Sequence, residues 1–132
     1  HGKFRRQRQM CIRDRFDGLL KRMVRNRAFE WVGALAFREY AQIAGATMSS
    51  ESVREAFEPY WESFDEVLGT PDARGPDLFE FDMATGLVRQ TILDPGDERQ
   101  WVIEGQVDMA ASRERGEVVA EVVRIGRVTD LR

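Results

Sequence analysis

Arg99-Gln100-Trp101-Val102-Ile103-Glu104-Gly105-Gln106-Val107-Asp108-Met109-Ala110 is the stretch on which the fold turns. Trp101, Ile103, Val107 and Met109 share one side of it, and Glu104, Gln106 and Asp108 share the other. That is the two-residue period of a strand with one dry and one wet side. Working outward, three further runs are β-branched or alternate in the same way: Leu78 to Asp82, Leu87 to Leu93 and Glu117 to Ile125. Ala84-Thr85-Gly86, Asp94-Pro95-Gly96-Asp97 and Ser112 to Gly116 lie between them. These segments carry turn residues and are short enough for hairpins, so consecutive strands are expected to pair antiparallel.

Upstream the period lengthens to between three and four. From Asp17 to about Ala44, Leu20, Val24, Ala28, Trp31 and Leu35 recur at helical spacing, with Phe29, Val32, Ala36, Tyr40 and Ile43 on an adjoining stripe. They predict a helix with a wide apolar face. Gly33 is its weak point, because an interior glycine costs about 1 kcal/mol relative to alanine. Gly45 is the expected stop. A second helix is expected to start at Ser49, whose hydroxyl can accept an orphan backbone N–H, with Glu51 complementing the positive helix end. Val53, Phe57, Tyr60 or Trp61, Phe64 and Leu68 form its aromatic stripe. Pro59 predicts a kink or break near Glu55 to Glu58, and Gly69 and Pro71 end the helix.

Helices followed by an antiparallel meander predict an α+β fold, with the N-terminal helices packed on one face of a four-stranded sheet. The preferred geometry is a strongly curved sheet wrapping a helix, the cone seen in scytalone dehydratase and ketosteroid isomerase. A flat two-layer sandwich is the alternative. The expected organisation is a domain over residues 16–126 and a frayed tail over 127–132. Trp31, Trp61 and Trp101 fall on apolar stripes and are expected in the core rather than as a platform for stacked bases.

With 132 residues, 42% of them apolar, the chain has room for one modest core. No apolar run approaches the roughly 20 residues needed to span a bilayer, and no secretory signal is visible, so the expected location is the cytoplasm. Met10-Cys11-Ile12-Arg13-Asp14-Arg15 reads like the translation of the transposon mosaic end used in sequencing-library adapters. Residues 1–15 are therefore set aside as an artefactual or disordered basic arm. His1 and Cys11, the only histidine and cysteine, both fall in that arm. Residues 16–132 thus exclude Ser/His/Asp and Cys/His catalytic groups, and a zinc site there would need carboxylates alone. Setting aside the arm's six Lys and Arg and its one acid leaves 14 basic and 22 acidic residues, a formal balance of −8. Such a surface disfavours free-standing binding to nucleic acid, which rests on neutralising phosphates.

Five blocks carry a family resemblance. They are Leu19 to Ala36 with Met23-Val24-Arg25-Asn26-Arg27-Ala28-Phe29 at its centre, Arg54-Glu55-Ala56-Phe57-Glu58-Pro59-Tyr60-Trp61, and Asp72-Ala73-Arg74-Gly75-Pro76. Val88-Arg89-Gln90-Thr91-Ile92-Leu93-Asp94-Pro95 follows, then Trp101 through Val107-Asp108-Met109-Ala110-Ala111-Ser112 to Gly116. In this order they resemble the domain of unknown function that forms the C-terminal part of certain bacterial DEAD/DEAH-box RNA helicases. Two departures stand out. The acidic-proline turn after Leu93 is short, and Asp97-Glu98-Arg99-Gln100 replaces a segment expected to hold a histidine near the tryptophan. The resemblance implies an upstream ATPase of two RecA-like domains. This chain itself has no G-x-x-x-x-G-K-[ST] loop and no Asp-Glu-x-x box, so ATP and magnesium belong to those upstream domains and no cofactor is expected here.

The candidate site residues divide into two groups. Lys21, Arg22, Arg25 and Arg27 form a basic patch early in the first helix, suited to RNA phosphates or to an acidic face of the ATPase core, or else simply solvated. Arg74 lies in a loop that reads equally as a docking loop or as a structural turn in which Asp72 caps and Arg74 is held by a buried acid. Asp94 and Asp108 are the carboxylates that would line a pocket if the fold is a cone, with turn chemistry and solvent exposure as their plainer roles. The leading expectation is a non-catalytic accessory domain that packs on the helicase core and positions RNA or a partner. The alternative is a small-molecule-binding or isomerase-like pocket.

Overall fold

The computed structural model describes the backbone of residues 2–131 and the side chains of residues 15–129. The side chains of residues 1–14, and with them nearly all of the arm set aside above, lie outside the described set, as do those of residues 130–132. Helix α1 (Gly2–Ala36) and helix α2 (Ser50–Ser63) precede strands β1 (Phe79–Phe81), β2 (Leu87–Thr91) and β3 (Trp101–Val107). A short helix α3 (Met109–Arg115) and strand β4 (Ala120–Arg127) follow. The strands form one sheet in the order β1-β2-β3-β4, every neighbour antiparallel, so the expected α+β meander is the architecture.

Leu20, Val24, Ala28, Trp31 and Leu35 are buried as their spacing predicts. The helix itself stops at Ala36, eight residues short of the expected end. Arg38 takes a left-handed backbone conformation, φ 58°, and the chain closes with Glu39 N–H on the Ala34 carbonyl at 2.8 Å and Arg38 N–H on Leu35 at 3.1 Å. This is a Schellman termination, usually built on glycine. Here the arginine lays its guanidinium over the Trp61 ring, 4.3 Å from the centroid, an attraction that offsets the backbone cost. Gly45 lies well beyond the helix, and Tyr40 sits in a 3₁₀ turn.

Ser49 caps α2 as expected, accepting the Ser52 N–H at 3.1 Å. Pro59 does not break the helix, which runs through it to Ser63. The carbonyl it leaves without a partner belongs to Glu55, and both residues are exposed, so water can take the lost bond. Instead of reaching Leu68, the helix ends where Phe64 turns extended. Leu68 then donates its N–H to the Leu93 carbonyl at 3.0 Å, tying the following loop to the end of β2.

The largest correction falls on the stretch that decided the fold. The strand ends at Val107, and Ser112 to Gly116 is not a hairpin turn but the end of α3 and its stop. Asp108 accepts the Ala111 N–H at 3.0 Å, while Gly116 adopts φ 69° and donates to Ser112. An aspartate N-cap and a left-handed glycine thus bracket a helix where strand alternation was expected to continue. At the C-terminus β4 runs to Arg127 and a 3₁₀ turn covers Val128–Leu131, with Val128 N–H on the Gln100 carbonyl at 2.7 Å.

One sheet face meets the helices. Phe57 and Tyr60 of α2 stack on each other at 4.5 Å, and Trp101 of β3 presents its edge to both at 5.8 Å. Trp31 of α1 reaches β3 where Gly105 leaves room. A Cβ on Gly105 would stand 2.3 Å from the indole, so no residue with a side chain fits without displacing it. The pairing with β4 shifts register between Glu104 and Gly105, as a β-bulge does.

The opposite face of β3 is not simply wet. Glu80, Arg89, Glu104 and Arg124 stand opposite one another in one row across all four strands, alternating in sign. Glu104 is buried, and Arg89 donates to its carboxylate from Nε at 3.1 Å and Nη2 at 3.0 Å. A one-residue slip would bring this carboxylate to the apolar side, so the row helps to fix the register.

Candidate functional site

Helical spacing sets the first part of the site. Lys21 and Arg25 are four apart and Arg22 and Arg25 three apart, so the three cations share one flank of α1, with Lys21 and Arg22 exposed. Arg27 points to the other flank and pairs with Glu30 at 3.3 Å, leaving the group to which its position in sequence had assigned it.

The second part arrives from far along the chain. Pro71 opens a 3₁₀ turn over Pro71–Arg74, and Ala73 anchors it in a small apolar cluster with Leu78 and Leu93, packed against Phe29 and Leu68. The turn lies against α1. Arg25 donates a hydrogen bond from its guanidinium to the Arg74 carbonyl. Arg74 donates to Asn26 Oδ1 at 2.6 Å, and its guanidinium lies over the Phe29 ring, 4.8 Å from the centroid. No buried acid holds Arg74, and Thr70, not Asp72, stands at the cap position of the turn. An amide and an aromatic face leave the positive charge of Arg74 uncompensated.

Lys21, Arg22, Arg25 and Arg74 thereby form one basic surface. Among the described residues, none of the four has a carboxylate within ion-pair distance. Elsewhere Arg15, Arg38, Arg115, Arg124 and Arg127 also lack a carboxylate within ion-pair distance among the described residues, whereas other arginines are paired. Arg113 of α3 grips Asp17 of α1 through two bonds of 3.2 and 3.3 Å, Arg99 binds Asp77 and Asp97, and Arg89 binds Glu104.

The two candidate carboxylates lie apart. Asp94 precedes the loop into β3 and Asp108 follows its end, so roughly 20 Å of strand separates them. Asp94 is buried and accepts the Glu98 N–H at 3.0 Å on one oxygen and the Arg99 N–H at 2.9 Å on the other. It organises a loop in which Asp97 and Arg99 both have positive φ. Asp108 caps α3 beside a groove open to solvent, lined among others by Thr47, Gln106, Glu121 and Val123. Between α1 and β3, where a cone would hold its pocket, Trp31 abuts Gly105.

The sequence marks Tyr60 only as part of an aromatic stripe. It is fully buried, and its hydroxyl donates to the Glu66 carbonyl at 2.6 Å. Burial above all, then the negative charges of Asp94 and Glu66, push its hydroxyl well above the ordinary tyrosine value. Trp31 and Trp101 are buried, as expected. Trp61 is half-buried at the edge, with its indole N–H on the Tyr40 hydroxyl at 3.0 Å. Among the described residues no three His, Cys, Asp or Glu side chains gather as a metal site would require, and no helix is long and apolar enough to cross a membrane.

The profile of a family described as Domain of unknown function (DUF3516) matches residues 5–125. No curated protein matches the chain, and no solved structure does.

Proposed function

We propose, starting from the fact that this chain belongs to the family Domain of unknown function (DUF3516), that it is a non-catalytic accessory domain that works by contact. In this reading it forms the C-terminal part of a cytoplasmic bacterial DEAD/DEAH-box RNA helicase. It packs on the RecA-like ATPase core in cis and helps position RNA or a partner, while ATP and magnesium are held by the core. The helicase association rests on the five sequence blocks quoted above.

One observation carries the contact role. The fold gathers Lys21, Arg22, Arg25 and Arg74, from two segments some fifty residues apart, into a surface free of ion pairs among the described residues. The acids that chemistry would need are meanwhile bound to backbone N–H groups, as Asp94 and Asp108 are, or to arginine, as Glu104 is. A general base must be free to take a proton in reach of a substrate, and carboxylates committed in this way are poorly placed for that.

Deletion of this domain from the parent protein tests the reading, with RNA-stimulated ATP hydrolysis and RNA affinity as readouts. A loss in either supports an accessory role. If both stay unchanged, the proposal fails.

A further inference from the structure

Resting on the contact role proposed above, we infer that the basic surface docks an acidic, amphipathic protein segment, with Leu19 as the apolar anchor. Leu19 is 45% exposed and sits three residues before Arg22, on the same flank of α1. Gly18 lies one turn before Arg22 and three residues before Lys21, and a Cβ there would meet nothing within 4 Å. The helical cations therefore run along one stripe, with the exposed Gly18 within it and Leu19 as an apolar knob at its edge. A partner helix with carboxylates at three- and four-residue spacing and one apolar stripe matches both parts at once.

Nucleic acid fits the same surface less well. Single strands bind by stacking bases on exposed aromatic faces, and the aromatic ring that the described residues place within this patch, Phe29, is occupied by Arg74. The formal balance of −8 over residues 16–132 opposes a long polyanion laid along the molecule. A short acidic segment touches only the patch, and charges farther away than the Debye length of about 8 Å count for little. Asp72, two residues before Arg74, is exposed and moderates the surface without neutralising its four cations.

Binding of the full 132-residue chain to three labelled probes tests this by fluorescence anisotropy at physiological salt. The probes are a helical peptide with glutamates on one side and leucines on the other, an all-glutamate peptide of equal length, and a single-stranded oligouridylate of matched charge. The amphipathic acidic peptide is expected to bind tightest. Joint Arg22→Glu and Arg74→Glu replacement should weaken it by about tenfold or more. Leu19→Ser should weaken it severalfold while leaving the circular dichroism and the all-glutamate peptide's affinity unchanged. Tighter binding of the oligouridylate, an unaltered affinity in Leu19→Ser, or no binding of any probe would each overturn the inference. None of these outcomes depends on the ATPase readouts, so failure here stays separate from failure of the accessory role.

Discussion

The inner and outer sides of α1 differ in what holds them. Inside, Leu20, Val24, Ala28, Trp31 and Leu35 are each at most 5% exposed and pack within the main core. Outside, Leu19 stays in water at 45% exposure, and Lys21 and Arg22 are exposed with no carboxylate within ion-pair distance among the described residues. The fold explains every residue of the first set by burial. It leaves the second set unexplained, and isolated cations on a chain of net charge −3 are the feature that a contact role accounts for. Substitutions on the inner side should therefore cost stability, and those on the outer side should cost only binding.

The largest effect expected on the inner side is that of Trp31→Ala. Emptying the space against Gly105 should cost about 3–5 kcal/mol, read from the midpoint of urea unfolding. Gly105→Ala attacks the same contact from the other partner and should cost about 1–3 kcal/mol by overpacking. Combining it with Trp31→Ala should remove most of that penalty, and a purely additive double mutant would show that the two residues do not constrain each other.

Tyr60 sharpens the comparison through pH. Its hydroxyl titrates in the folded chain above the ordinary 10.0, so the folded state keeps a proton that the unfolded chain releases. The resulting stability is complete below the ordinary value and is lost as pH rises from there towards the raised one. Tyr60→Phe should cost about 1 kcal/mol at neutral pH, through the bond to the Glu66 carbonyl, and should flatten the alkaline decline measured by urea unfolding. An unchanged alkaline slope would assign that decline to another group. The smallest stability effect belongs to the outer side, where Arg22→Glu should stay within about 0.5 kcal/mol of the native chain by the same measurement.

Much of the fold was legible because apolar period, turn residues and strand order all pointed one way. The apolar positions of α1, the Ser49 cap and the antiparallel meander follow from local pattern alone. The errors came where a cap outweighed a period. Asp108 and Gly116 bracket α3 in plain sight, yet the alternation through Val107 and Met109 reads as strand. Arg38 takes the left-handed position usually given to glycine, and its compensation by Trp61 lies 23 residues downstream. The site was legible only in pieces. Lys21, Arg22 and Arg25 are visible as a helical cluster and Arg74 as part of a turn, but nothing local announces that Asn26 and Phe29 receive it. The Arg89–Glu104 and Arg113–Asp17 pairs were missed for the same reason, since each depends on a register or a packing fixed only in three dimensions.

The central claim is that the basic surface serves contact and, beyond the exposed contacts of Arg25 and Arg74 with the neighbouring turn and helix, adds little to the fold's stability. Its most direct test is the paired charge reversal Arg22→Glu with Arg74→Glu in the parent protein, followed at once by thermal unfolding and by RNA-stimulated ATP hydrolysis. The expected result is an unfolding temperature within a few degrees of the native value and a stimulation reduced severalfold. Full stimulation with that surface reversed, or a collapse of stability, would contradict it.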